Sequence, residues 1–85
     1  MRSDPAEAAI LTLLQRRAPD ATICPSEAAR TLAEARGAPE DWRADMDRAH
    51  DAARRLADKG AVTLRQGGKV VETPKGAYRI GRPNP

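Results

Sequence analysis

The stretch Lys59-Gly60-Ala61-Val62-Thr63-Leu64-Arg65-Gln66-Gly67-Gly68-Lys69-Val70-Val71 is where the chain changes its period. Before Gly60 the apolar residues recur at helical spacing. After it Val62 and Leu64 alternate with Thr63 and Arg65, which is the period of a strand. Gly67-Gly68 is a two-residue hairpin signal, because the turns that match strand twist need positive φ. A turn of type I′ or II′ here pairs Gln66 with Lys69 and Leu64 with Val71. A hairpin is thus expected directly after a helical region.

Working back from Gly60, a long helix is predicted from about Pro39 to Lys59. Glu40 and Asp41 favour its start, Lys59 followed by Gly60 favours its end, and Trp42, Met46, Ala49, Ala53 and Leu56 form one stripe. A second helix opens at Cys24-Pro25-Ser26-Glu27, with Pro25 suited to the first helical position and Ile23 placed as a hydrophobic staple. Its small stripe of Ala28, Ala29, Leu32 and Ala33 permits close approach, and Gly37 suits its stop. The first helix starts near Asp4-Pro5, carries Ala6, Ile10, Leu13 and Leu14 on one face, and breaks at Ala18-Pro19. Working forward from Val71, the loop Glu72 to Gly76 leads to a last short strand, Ala77 to Ile80, and a frayed tail.

Three helices followed by a hairpin, with a short glycine-containing turn between the second and third, is the layout of a winged helix-turn-helix. The expected class is therefore mainly α with a small antiparallel β-hairpin, as one domain over residues 4–81 with a disordered tail at 82–85. Another small α+β domain with a hairpin on a helical bundle would share this element order.

Composition narrows the function classes. The chain has 85 residues, 15 Lys+Arg against 12 Asp+Glu, one Cys, one Trp, one Tyr and no Phe. Seventeen of its apolar residues are alanine, so the core is small and a deep substrate pocket is not expected. No apolar run reaches the roughly 20 residues that span a bilayer, and no secretory signal is visible. One cysteine and one histidine supply neither an internal disulfide nor a four-ligand zinc site. No cofactor, membrane association or enzymatic role is expected, and the default compartment is the cytoplasm.

The string Ile23-Cys24-Pro25-Ser26-Glu27-Ala28-Ala29-Arg30 resembles a bacterial family known only as domain of unknown function 3253. Asp41-Trp42-Arg43, Met46, Arg54 with Leu56, Gly60, Gln66 with Gly68-Lys69-Val70, and Lys75-Gly76-Ala77-Tyr78-Arg79-Ile80 extend the resemblance over roughly residues 5 to 80. Where Ala77-Tyr78 stands here, Pro-Ile is common in the family. The resemblance implies a small winged-helix-like fold, no established activity and no functional residues to carry over.

Charge is unevenly spread. Residues 61–85 carry Arg65, Lys69, Lys75, Arg79 and Arg82 against Glu72 alone. In winged helices the third helix enters the major groove and the wing meets the backbone. Arg65, Lys69, Lys75 and Arg79 are therefore candidate phosphate contacts on double-stranded DNA or another nucleic acid, with Arg43 and Arg48 as base-edge or backbone donors. The third helix argues against sequence reading. Its outward Asp47, Arg48, Asp51, Arg54, Arg55 and Asp58 cancel in sign, Asp51–Arg55 and Arg54–Asp58 fit i,i+4 pairs, and Glu40, Asp41, Asp45 and Asp47 crowd its start.

A protein-docking role is the alternative, since fold alone does not choose, and basic residues on a hairpin also simply protect an edge strand. Cys24 at a helix start invites a thiolate role, yet beside Ile23 it reads better as a small packing group. His50 reads as a packing or solvated residue, Trp42 as a core plug between helices and hairpin, and Tyr78 as cover for the base of the wing.

Overall fold

The computed structural model describes residues 4–83. Helix α1 spans Pro5–Gln15. The Asp4 carboxylate caps it, accepting from the N–H of Ala6 at 2.8 Å and of Glu7 at 3.1 Å. After the Ala18-Pro19 break the chain forms a two-residue strand, β1, Thr22–Ile23, and then α2, Pro25–Ala35. The start of α2 is fixed by Glu27, whose carboxylate reaches back to the Cys24 N–H at 2.8 Å. Gly37 turns the chain with φ +78°.

The long third helix expected from Pro39 is two pieces. Pro39–Asp45 is a 3-10 segment and helix α3 runs Met46–Asp58. Asp41 sits outside helical geometry at φ −99°, ψ 27°. The Arg36 guanidinium donates both to its carbonyl, at 2.9 Å, and to its carboxylate, at 3.2 Å, which ties the segment to the end of α2 instead of in line with α3.

Beyond α3 lie β2 (Thr63–Gln66), β3 (Lys69–Val70) and β4 (Arg79–Gly81). The hairpin register is the expected one. Gln66 opposes Lys69, Arg65 opposes Val70, and the Val71 N–H reaches the Leu64 carbonyl at 2.8 Å. Gly67 and Gly68 both have positive φ, +58° and +79°, so the turn is type I′. The sheet is antiparallel in the order β1-β4-β2-β3. The last strand therefore inserts between the first and second, and it lies at Arg79–Gly81 instead of Ala77 to Ile80. The shift places Ile80 opposite both Ile23 and Leu64.

These three side chains form the sheet's inner face and join Ile10, Leu14, Leu32, Leu56 and Val62 in the core. Ala28, Ala29, Ala49, Ala52 and Ala53 are fully buried where the helices meet, so small residues set the close spacing that the alanine stripes predicted. Three helices with a small antiparallel sheet carrying a wing make this a winged helix-turn-helix.

Two further expectations are corrected. Trp42 does not plug the helix–hairpin junction, because the 3-10 segment takes it out of phase with α3. It is half-buried at the edge of the core, with the Arg30 and Arg43 guanidinium groups 4.5 and 4.3 Å from its ring centre. The frayed tail does not include Arg82, whose guanidinium caps the end of α1 by donating to the Leu14 and Arg17 carbonyls at 3.0 and 3.2 Å. Residues 84 and 85 lie outside the described residues.

Candidate nucleic-acid interface

The helices neutralise most of their own cations. Arg17 pairs with Glu27 at 2.6 Å. Arg36 and Arg48 converge on the buried Asp45 at 2.9 and 3.3 Å. Arg55 reaches Glu7 at 3.0 Å and Asp4 at 3.2 Å, and Lys59 meets the other Glu7 oxygen at 3.0 Å. Arg55 thus bridges to α1 instead of pairing with Asp51 along its own helix, because Glu7 faces it across the α1–α3 contact. Hydrogen bonds from Lys59 and Arg55 hold the Glu7 carboxyl below its usual range, and the Arg17 contact does the same for Glu27.

Beyond Gly60 the pattern reverses. Among the described residues no carboxylate lies within ion-pair distance of Arg65, Lys69, Lys75, Arg79 or Arg82. Arg65 and Arg79 stand directly opposite each other on β2 and β4. Strand alternation puts them on the outward face, since their neighbours Leu64 and Ile80 point into the core. Neutral groups hold both. Arg65 donates to the Thr63 hydroxyl at 3.0 Å and the Arg82 carbonyl at 3.1 Å. Arg79 donates to the Thr22 hydroxyl at 2.9 Å and the Thr22 carbonyl at 3.1 Å. Gly81 lies between them, and a Cβ there would sit 2.9 Å from the Arg65 guanidinium. The glycine is what lets Arg65 lie flat on the sheet.

Lys69 and Lys75 are exposed on the wing. Gln66 fixes the loop that carries Lys75, donating to the Lys75 and Ala77 carbonyls at 2.6 and 2.9 Å and accepting from the Lys75 N–H at 3.3 Å. Arg43 lies over Trp42 and Arg48 against Asp45. The structure therefore sets Arg65 and Arg79 side by side on the outward face of the sheet. It leaves Lys69 and Lys75 exposed on the wing, where Lys69 is the partner of Gln66 and so alternates away from the face of Arg65, and places Arg43 and Arg48 on other elements. Among the described residues Arg16, Arg30, Arg43 and Arg54 also lack an ion pair, so the i,i+4 pairing expected between Arg54 and Asp58 is not formed.

A groove of about 890 Å³ runs between α3 and the wing, with Arg54, Asp58 and Glu72 in its lining. His50 and Tyr78 lie in it, the His50 Nδ1 and the tyrosine hydroxyl 2.7 Å apart. Burial pushes the Tyr78 hydroxyl above its usual pKa. Tyr78 thus joins the base of the wing to α3, and His50 is its partner there. Cys24 is half-buried and accepts a hydrogen bond from the Ser26 hydroxyl at 3.2 Å. Among the described residues no group of three or more His, Cys, Asp or Glu is placed to hold a metal ion, and no helix is long and apolar enough to cross a membrane.

Sequence reasoning missed Thr22, Thr63 and Gln66. Thr63 shares the alternation of Arg65 and was open to reading. Thr22 was not, since a two-residue strand has no period, and the Gln66 clamp depends on the path of the loop.

A family model described as protein of unknown function (DUF3253) matches residues 3–83. A search of curated proteins finds no match.

Proposed function

Since the chain belongs to the DUF3253 family of proteins of unknown function, and the family carries no activity of its own to transfer, we propose from the charge geometry that it is a nucleic-acid-binding winged helix that grips the phosphate backbone through its sheet and wing. The observation that carries this reading is that, among the described residues, every cation after Gly60 is without a carboxylate partner. Carboxylates occupy Arg17, Arg36, Arg48, Arg55 and Lys59, while Arg65, Lys69, Lys75 and Arg79 have none among the described residues. Arg65 and Arg79, side by side without counter-charges, repel one another, and a polyanion relieves that repulsion. No metal, cofactor or enzymatic step enters this reading, and the cytoplasm is its natural setting.

Contacts of this kind fix a protein on nucleic acid without reading sequence. Binding should therefore be weak, non-specific and steeply dependent on salt. About four phosphate contacts give a slope of roughly −3.6 in log affinity against log salt on duplex DNA. Fluorescence anisotropy with a labelled random duplex, titrated at several salt concentrations, measures it. Lys69→Ala or Lys75→Ala should each flatten the slope by about one unit. No saturable signal at low salt and high micromolar protein refutes the reading and leaves protein docking, which the groove between α3 and the wing would serve.

A further inference from the structure

In a winged helix the third helix and the adjoining wing are expected to face the nucleic acid. Here that side is poorly charged for it. The groove between α3 and the wing has one arginine, Arg54, and two carboxylates, Asp58 and Glu72, in its lining. Upstream, Arg48 is held by Asp45 and Arg55 by Glu7 and Asp4, while Asp47 and Asp51 stand exposed on α3. Among the described residues a phosphate backbone laid along α3 would meet the exposed Asp47, Asp51 and Asp58 beside a single guanidinium without an ion pair, that of Arg54.

The opposite side of the sheet has the reverse character. Arg65 and Arg79 are cross-strand partners there, and like charges so placed destabilise a sheet. Both are oriented by neutral acceptors, the hydroxyls of Thr63 and Thr22 and the carbonyls of Arg82 and Thr22, which position the guanidinium groups without cancelling their charge. Gly81 keeps the surface between them level. Glu27 feels the charge of Arg79 less than that of Arg17, to which it is bonded.

We infer that duplex nucleic acid lies across the outward face of the sheet, against Arg65, Arg79, Thr22 and Thr63, with α3 on the far side of the sheet from the ligand. This rests on the nucleic-acid reading above and adds to it the surface and the ligand form. The duplex is preferred over a single strand because this face has no aromatic platform. Trp42 lies under Arg30 and Arg43, and the Tyr78 hydroxyl is bonded to His50 in the groove. Single-strand binders depend on base–aromatic stacking, whereas duplex contacts can be to backbone alone. The Arg65 guanidinium is held at Thr63 on β2 and the Arg79 guanidinium at Thr22 on β1, with β4 between them.

The test uses the whole chain, a random 20-base-pair duplex, and one of its strands alone. Amide chemical shifts on titration with duplex should move at Thr22, Thr63, Arg65, Arg79 and Gly81 and stay still at Asp47, His50 and Arg54. In anisotropy, Arg65→Gln with Arg79→Gln should weaken duplex binding about ten-fold and flatten the salt slope by about two units, while Arg54→Gln changes neither. The single strand should bind no more tightly than the duplex. If the duplex binds but the shifts fall on α3, or Arg54→Gln weakens it as much as the double variant, or the single strand binds more tightly, the placement is overturned and the nucleic-acid reading stands. If the duplex does not bind at all, that reading fails and takes the placement with it. The shift map needs no variant, so it decides the matter even if the double substitution unfolds the chain.

Discussion

Ile10, Ile23 and Ile80 are completely buried and are the largest side chains to be so, in a molecule whose helices meet mainly through alanine. Trp42, much larger, is only half-buried, and its ring is covered by the flexible stems and guanidinium groups of Arg30 and Arg43. The two positions should respond differently to truncation. Ile80→Ala leaves a cavity between β4, β2 and β1 and should cost about 2–5 kcal/mol, a large part of the stability of so small a domain. Trp42→Ala exposes a site that solvent already reaches and should cost less. Urea denaturation of both variants measures the order, and a larger loss at Trp42 would contradict the packing described. That Trp42 would lie at the edge was not legible in its neighbourhood. Asp41-Trp42-Arg43 continues the helical stripe of Met46 and Ala49, and only the pull of Arg36 on Asp41 takes it out of line.

Among the elements, the hairpin was the most legible. Gly67-Gly68 and the Val62–Leu64 alternation fix both turn type and register without help from the rest of the chain. Gly68 has φ +79° and open space where a Cβ would go, so Gly68→Ala should cost about 1–2 kcal/mol from backbone strain alone. Gly67→Asn should be nearly neutral, since asparagine suits the first central position of such a turn. Thermal melts followed by circular dichroism distinguish the two. The starts of α1 and α2 were equally open to reading, because Asp4-Pro5 and the Cys24-to-Glu27 cap act within one turn. Strand β1 was not legible. Thr22 and Ile23 form a strand only because β4 arrives beside them from more than fifty residues away.

For the whole molecule, the tie between α1 and α3 joins Glu7 to Arg55 and Lys59, 48 and 52 positions along the chain. Such a contact is invisible to local spacing, and for that reason the sequence suggested Asp51 as the partner of Arg55. The tie also sets the pH response. Asp4, through the N–H groups of α1, Glu7, through Lys59 and Arg55, and Glu27, through Arg17, are all held below the ordinary carboxylate range. A carboxyl lowered in the folded state contributes stability that is present above its unfolded pKa and lost as pH falls through the folded one. The melting temperature should therefore be level from pH 7 to 5 and fall in acid below about pH 4. Glu7→Gln should lower it at pH 7 and shrink the acid decline, with the contribution softened by solvent screening because the partner groups are partly exposed. A profile that rises in acid would contradict these pairings.

The order of strands in the sheet bears on how the chain is made. Strand β4 supplies the hydrogen-bonding partner for both β1 and β2, and Ile80 completes the core they share. During synthesis, α1, α2 and α3 leave the ribosome while the seat meant for Ile80 stands empty, so the nascent chain holds helices but no closed sheet. Cooperative folding must wait until β4 has emerged, and until then chaperones would find Ile23 and Leu64 uncovered.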